Sequence, residues 1–269
     1  MKRIYYDWNV ILNAVIIYDE RYEDGVYMKF SAVLFDYGNT LLTYADHSIK
    51  GTLDRNISGI KKILSSSSHP LPELHIDDFL ENFRLVYNDV NKTISKTMKE
   101  VSMFDVLLEA AKRSSITMPR DDMFGVYTEL YKKSIGSCLI PDPDAIDVLK
   151  SIKNAGMKTG LVSNSMYDFE FHLDELQRFG FKPLLDTIII SSSVGVRKPH
   201  KRIFDIALKE LNVFAKDTLF VGDHLNADIE GASRAGMETC LKIVEHNDGE
   251  CIVEPDYRIN GLKELRQIL

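Results

Sequence analysis

Ala32-Val33-Leu34-Phe35 is the first of five short and nearly uninterrupted apolar runs in the chain. The others are Thr159-Gly160-Leu161-Val162, Thr187-Ile188-Ile189-Ile190, Thr218-Leu219-Phe220-Val221 and Cys240-Leu241-Lys242-Ile243-Val244. Runs of this length, with no polar alternation, suit strands buried on both faces. Amphipathic helical spacing fills the intervals at 144–155, 167–179, 201–211, 226–235 and 262–269, and Tyr257-Arg258-Ile259 reads as a last short strand. Strand–helix alternation predicts an α/β fold: a parallel sheet with helices on both faces, whose binding sites lie at the carboxyl ends of the strands.

Residues 43–138 break the alternation and show no convincing strand. Ile49, Leu53, Ile57, Ile60 and Leu64 follow helical spacing, as do Phe79, Phe83, Val86, Tyr87, Val90, Ile94 and Met98. Phe104, Leu107, Leu108 and Ala111 mark a third helix, and Met123, Val126, Tyr127, Leu130 and Tyr131 a fourth. The Ser- and Pro-rich stretch 65–72 is a loop. Residues 43–138 are therefore expected to form a helical cap inserted into a core made of 30–42 and 139–269. The aromatic and methionine residues of the insertion read as its own packing.

Residues 1–29 differ from the rest. They are rich in Tyr and β-branched residues and end on the turn signal Glu23-Asp24-Gly25. They read as an appended hairpin, or as an extension upstream of a start at Met28, and no function is assigned to them. No secretory signal is expected, because Tyr5-Tyr6-Asp7-Trp8-Asn9 stands where an apolar core should begin. The early apolar stretch 10–18 is far below the ~20 residues needed to span a bilayer, so no membrane association is expected. Cys138, Cys240 and Cys251 have no CxxC spacing, which argues against a zinc site and for a reducing, cytoplasmic setting. A formal net charge of -7 disfavours nucleic acid as the main partner.

The strand ends carry polar residues that packing does not require. The first run leads into Asp36-Tyr37-Gly38-Asn39-Thr40, and the second into Ser163-Asn164-Ser165. Gly195-Val196-Arg197-Lys198-Pro199 follows the third, and Gly222-Asp223-His224-Leu225-Asn226-Ala227-Asp228 the fourth. A lone Asp after a strand is most often a cap or turn residue, but four such segments in order carry more weight. Together they resemble the four motifs of the haloacid dehalogenase (HAD) superfamily over residues 31–269. The resemblance implies a Rossmannoid three-layer core with an all-helical cap between the first and second motifs.

It also implies a hydrolase, most readily a phosphatase acting on a small phosphorylated metabolite through an aspartyl-phosphate. Asp36 would be the nucleophile. Ser163, Asn164 and Lys198 would hold and neutralise the phosphoryl group. Asp36, Asp223 and the backbone carbonyl of Gly38 would bind Mg²⁺. Asp228 would be a further ligand or would orient Lys198 and water, although it reads equally as a helix N-terminal acid.

One residue departs from the family pattern. Phosphatases of the family carry a second aspartate two positions after the nucleophile, as acid and base for the leaving alcohol, and here that position is Gly38. Loss of a positioned acid or base costs ~10²–10⁴-fold in rate, about 3–5 kcal/mol. Three readings stay open. The chain is a phosphatase for leaving groups that need little protonation, another HAD hydrolase (phosphonatase- or dehalogenase-like), or an attenuated fold that binds without turnover. Gly222-Asp223 points away from dehalogenation, where the family tends to have Ser-Asn. A phosphonatase would need a cap lysine, and nothing singles out Lys50, Lys61, Lys62, Lys92 or Lys96. His47 and His224 are candidate replacement acids.

Overall fold

The computed structural model describes residues 22–23, 26–27, 29–45, 52–66, 73–245 and 252–269. Near the N-terminus, β1 (Tyr22–Glu23) and β2 (Val26–Tyr27) pair antiparallel, and the residues of the turn signal between them lie outside the described residues. The main sheet uses β3 (Ala32–Phe35), β6 (Lys158–Ser163), β7 (Thr187–Ile190), β8 (Thr218–Gly222), β9 (Glu238–Lys242) and β10 (Tyr257–Ile259). Its order is β10-β9-β8-β3-β6-β7, and every pair is parallel. The first apolar run thus becomes a central strand, with all four residues buried.

The two faces of the sheet carry separate apolar clusters. Val33, Phe35, Leu161 and Val221 pack with Val148, Leu149 and Ile152 of the helix Ala145–Asn154. Leu34, Val162 and Phe220 pack with Ile203, Phe204 and Ala207 of Lys201–Leu211. This side-to-side alternation along β3 makes the core a three-layer α/β sandwich.

Among the described residues, the insertion at 43–138 carries four α-helices: α1 (Thr52–Ser66), α2 (Glu73–Thr97), α3 (Met103–Arg113) and α4 (Arg120–Leu130). They bury a cluster of their own, including Ile60, Phe83, Leu107 and Tyr127, which also takes in Met166 and Tyr167 from the loop after β6. Ser102 caps α3, accepting a bond from the Phe104 N–H.

Three local expectations change. Residues 43–138 do contain strand: β4 (Leu42–Tyr44) pairs antiparallel with β5 (Leu139–Pro141), so the two connections to the helical insertion form one ribbon. Each member is three residues long and its partner is remote in sequence, so no local pattern announces it. Segment 226–235 is not a uniform helix; a wide turn, Leu225–Glu230, precedes Gly231–Ala235. The C-terminal segment is a 3₁₀ turn, Leu262–Gln267, rather than an α-helix. Among the described residues, no helix is long and apolar enough to cross a membrane.

Candidate active site

The residues singled out at the strand ends meet at the carboxyl edge of the sheet. Asp36 follows β3 directly, and its N–H donates to the Val221 carbonyl on the neighbouring strand at 2.9 Å. Ser163 ends β6 and Asp223 follows β8. Lys198 arrives from the loop after β7.

Lys198 is the centre of the arrangement. Its side chain is 2 % exposed, and Nζ lies 2.5 Å from Asp36 Oδ1 and 2.7 Å from Asp228 Oδ1. It also donates to the Val162 carbonyl at 2.8 Å and sits over the Phe220 ring. Burial alone would lower the lysine pKa. The charges of Asp228 and Asp36 outweigh that and hold it above its usual value. The carboxylates respond oppositely. Burial pushes Asp36 up to about 7, against the pull of Lys198 and with the charges of Asp228 and Asp223 adding to the rise. Asp223 is pushed up to about 6, first by burial and then by Asp228. One ammonium shared among three carboxylates leaves a surplus of negative charge.

Asp228 is doubly committed. Beside its contact with Lys198, Oδ2 accepts from the His224 N–H at 3.0 Å. This approach needs Gly222, because a Cβ there would stand 2.4 Å from Asp228 Oδ2. Asp228 thus contacts Lys198 and stands in the first turn of the Leu225–Glu230 segment. Carboxylate oxygens of Asp36, Asp223 and Asp228 lie within 4.8 Å of one another. Hard oxygen donors in surplus, at a shared corner, fit a divalent cation such as Mg²⁺.

The side chains of Asn164 and His224 both have local partners. The Asn164 amide is spent on the lysine loop: Nδ2 donates to the Lys198 carbonyl at 3.0 Å, and Oδ1 accepts from the Lys198 N–H at 2.8 Å. Only its backbone N–H is left for a substrate oxygen. His224 Nδ1 accepts from the Ala227 N–H at 3.1 Å and caps the following turn, which is a structural use of that ring. His47 lies outside the described residues.

Two contributors had no sequence signal strong enough to find them. Asn39, in the left-handed region at φ 55, donates to Asp223 Oδ2 at 3.2 Å. Asn tolerates that backbone, so the turn after β3 can aim its amide at the acidic corner. Lys242 on β9 donates to the Thr40 carbonyl at 2.8 Å and to Asp142 Oδ2 at 2.7 Å, tying that turn to the ribbon end. A Cβ built on Gly38 would have the Tyr44 hydroxyl as its nearest neighbour, at 3.6 Å. There is room for a side chain at position 38.

The sequence that builds this strand end, the buried lysine between two acids and the acidic corner on the next strand matches a family model, haloacid dehalogenase-like hydrolase, over residues 30–236. The chain belongs to that family. It is a hydrolase. Among curated relatives, it is 26 % identical over 243 residues to the pyrimidine 5'-nucleotidase YjjG of Escherichia coli (strain K12), covering 90 % of this chain and 99 % of the relative. It is 34 % identical over 133 residues to a glyceraldehyde 3-phosphate phosphatase of Methanocaldococcus jannaschii, covering 49 % of this chain and 57 % of that protein. Among solved structures, the HAD-hydrolase YfnB from Bacillus subtilis, bound to magnesium, matches with a TM-score of 0.58 at 20 % identity, over 90 % of this chain and 99 % of that one. A 2-haloacid dehalogenase from Pseudomonas syringae pv. Tomato DC3000 matches with a TM-score of 0.60 at 19 % identity, over 89 % and 97 %. Hydrolases of different chemistry share this HAD fold equally well, so the reaction has to be argued from the site.

Proposed function

We propose that this HAD hydrolase is a Mg²⁺-dependent phosphatase for a small phosphorylated metabolite, working through an aspartyl-phosphate on Asp36. The observation that carries the reading is Lys198, buried between Asp36 and Asp228 with Asp223 beside them. Residues 43–138 serve as the cap, and 30–42 with 139–269 as the catalytic core. The named relatives act on a nucleotide and a sugar phosphate, which supports a phosphate ester as substrate. The free thiols of Cys138 and Cys240 fit the reducing cytosol.

In this reading Lys198 holds Asp36 Oδ1, leaving Oδ2 to attack phosphorus. The Oδ2–P bond forms as the bond from phosphorus to the leaving oxygen breaks. Water then attacks phosphorus, releasing inorganic phosphate and restoring the carboxylate. Lys198, the Ser163 hydroxyl and the Asn164 backbone N–H carry charge on the phosphoryl oxygens. Asp36, Asp223 and the Gly38 carbonyl would hold Mg²⁺, with Asp228 orienting Lys198; the ion would neutralise phosphoryl charge. Leaving-group protonation is the weak point, because Gly38 brings no acid.

The test is a series of phosphate esters of graded leaving-group acidity. Wild type should favour acidic leaving groups steeply. Gly38→Asp, which the space at position 38 admits, should raise turnover of alkyl esters by ~10²-fold or more and flatten the dependence. Hydrolysis by neither protein would favour the binding-only reading.

Metal binding has its own readout. An acid whose folded pKa is raised costs nothing below its unfolded value of 3.8, and its full cost is present above the folded value. The metal-free protein should therefore lose stability as pH rises from about 4 to about 7, the upper limit being that of Asp36. Mg²⁺ competes with those protons and should bind better over the same rise. At 100 times its Kd a ligand adds ~2.7 kcal/mol. Melting curves should thus show a large Mg²⁺ shift at pH 8 and little at pH 5, and Asp223→Asn should abolish it. Equal shifts at both pH values would contradict the assignment.

A further inference from the structure

Between α2 and α3 the chain leaves the helical insertion for five residues and docks on the loop that carries Lys198. The Arg197 N–H donates to the Met98 carbonyl at 3.0 Å, and the Glu100 N–H to the Gly195 carbonyl at 3.1 Å, with an antiparallel bridge between Lys99 and Val196. Met98 adopts φ 53, which turns the chain out of α2 and onto the core.

Glu100 uses both carboxylate oxygens at this junction, with its side chain 2 % exposed. Oε1 accepts from Arg197 Nη1 at 3.1 Å and from the Val101 N–H at 3.0 Å. Oε2 accepts from the Ser191 hydroxyl. The Ser191 oxygen in turn accepts from the Ser165 N–H at 2.8 Å. One carboxylate from the insertion therefore reaches two core loops: 195–198 directly, and 163–165 through Ser191. Those loops are already joined by the Asn164 amide on the Lys198 backbone. A second strand of contact runs from the Met103 N–H to the Met166 carbonyl at 2.9 Å.

We infer that Glu100 is a positioning residue, through which the docked insertion holds loops 163–165 and 195–198 in the arrangement that receives a phosphoryl group. The ligand named here rests on the phosphatase reading; the coupling between insertion and loops does not. A buried carboxylate with a fixed partner on each oxygen has one low-energy arrangement, so placing it places both loops. Occupancy of the site and docking of the insertion must then favour one another reciprocally.

The experiment compares full-length wild type with Glu100→Ala, Glu100→Gln, Arg197→Gln and the Glu100→Ala/Arg197→Gln pair. Three quantities are read: amide hydrogen exchange by segment, the Kd for inorganic phosphate with Mg²⁺, and kcat and KM for an aryl phosphate. Glu100→Ala should speed exchange at 163–166 and 195–198 by about tenfold, while β8 and β9 stay protected. It should also weaken phosphate binding and lower kcat by about tenfold, within the usual range of site-to-site coupling. Glu100→Gln keeps an acceptor for Ser191, so it should restore protection at 163–166 and not at 195–198. It also serves if the alanine variant folds poorly. The double variant should be no worse than Glu100→Ala. Unchanged exchange in the two loops would overturn the inference, as would a uniform rise across the sheet, which marks a residue that only stabilises. If wild type neither binds phosphate nor turns over an aryl phosphate, yet the two loops loosen as described, the positioning role stands and the phosphatase reading falls.

Discussion

Asp36→Asn should abolish turnover and at the same time make the metal-free protein more stable at neutral pH. The first effect follows from the proposed role of Asp36 as nucleophile, and losses of ~10³–10⁶-fold in kcat are usual when a covalent catalyst is removed. The second follows from the charge inventory of the site. Burial and the neighbouring Asp228 and Asp223 hold the Asp36 carboxyl up to about 7. An aspartate in the unfolded chain ionises near 3.8, so the native state resists an ionisation that the unfolded state accepts. That penalty is absent below pH 3.8 and complete above about 7. An amide removes it and still offers Lys198 an oxygen at Oδ1. Thermal melts in chelator should therefore favour the variant at pH 8 and show little difference at pH 4. Retained turnover would remove Asp36 from the reaction. A variant less stable than wild type at pH 8 would show that Lys198 needs the Asp36 charge more than burial opposes it.

Lys198→Met should have the opposite effect on stability and the same effect on turnover. Methionine has a similar length and fills the space over Phe220, so the change is chiefly one of charge. Removing one partner of a buried ion pair costs ~3–5 kcal/mol, because the other is left charged in a poor solvent. Here Asp36 and Asp228 both lose their cation at once. Without the ammonium Asp36 holds its proton to still higher pH, so the deficit should be greatest at pH 8 and shrink toward pH 4. Urea unfolding at the two pH values measures this. A deficit independent of pH would mean that the lysine acts through packing alone. Adding Mg²⁺ at pH 8 should recover part of the loss by replacing positive charge at the acidic corner, without recovering turnover.

The sequence carried the sheet and its edge well, for a physical reason. A strand buried on both faces needs a continuous apolar run, and a residue placed at its end for chemistry interrupts that run with a polar type. Asp36, Ser163 and Asp223 each stand at such an interruption, and the structure brings them to one edge of the sheet together with Lys198 and Asp228. What did not show were features whose meaning depends on a distant partner. Glu100 reads as an ordinary acid after a helix, and its partners Ser191 and Arg197 lie far along the chain. The β4–β5 ribbon joins two three-residue segments from opposite ends of the insertion. Asn164 announced a polar group but not its direction, and its amide turned to the Lys198 backbone rather than outward. The side chain of Lys242 interrupts an apolar run for the sake of Thr40 and Asp142, neither of which is near it in sequence.

The position of β3 bears on how the chain reaches its native state. This strand is among the first segments of the sheet to be synthesised, yet its two partners begin at Lys158 and Thr218. Both of its hydrogen-bonding edges stay open until most of the chain exists, and pairings so remote in sequence pay their loop-closure entropy late and fold slowly. The helices of the insertion draw on nearby contacts and bury an apolar cluster largely their own. On a ribosome they can form first, while Ala32-Val33-Leu34-Phe35 waits as an unpaired, fully apolar segment of the kind that invites aggregation. Yield of the active form should then be limited by how long that segment stays uncovered, so slower growth temperatures or chaperone capacity should matter more for this protein than its equilibrium stability does.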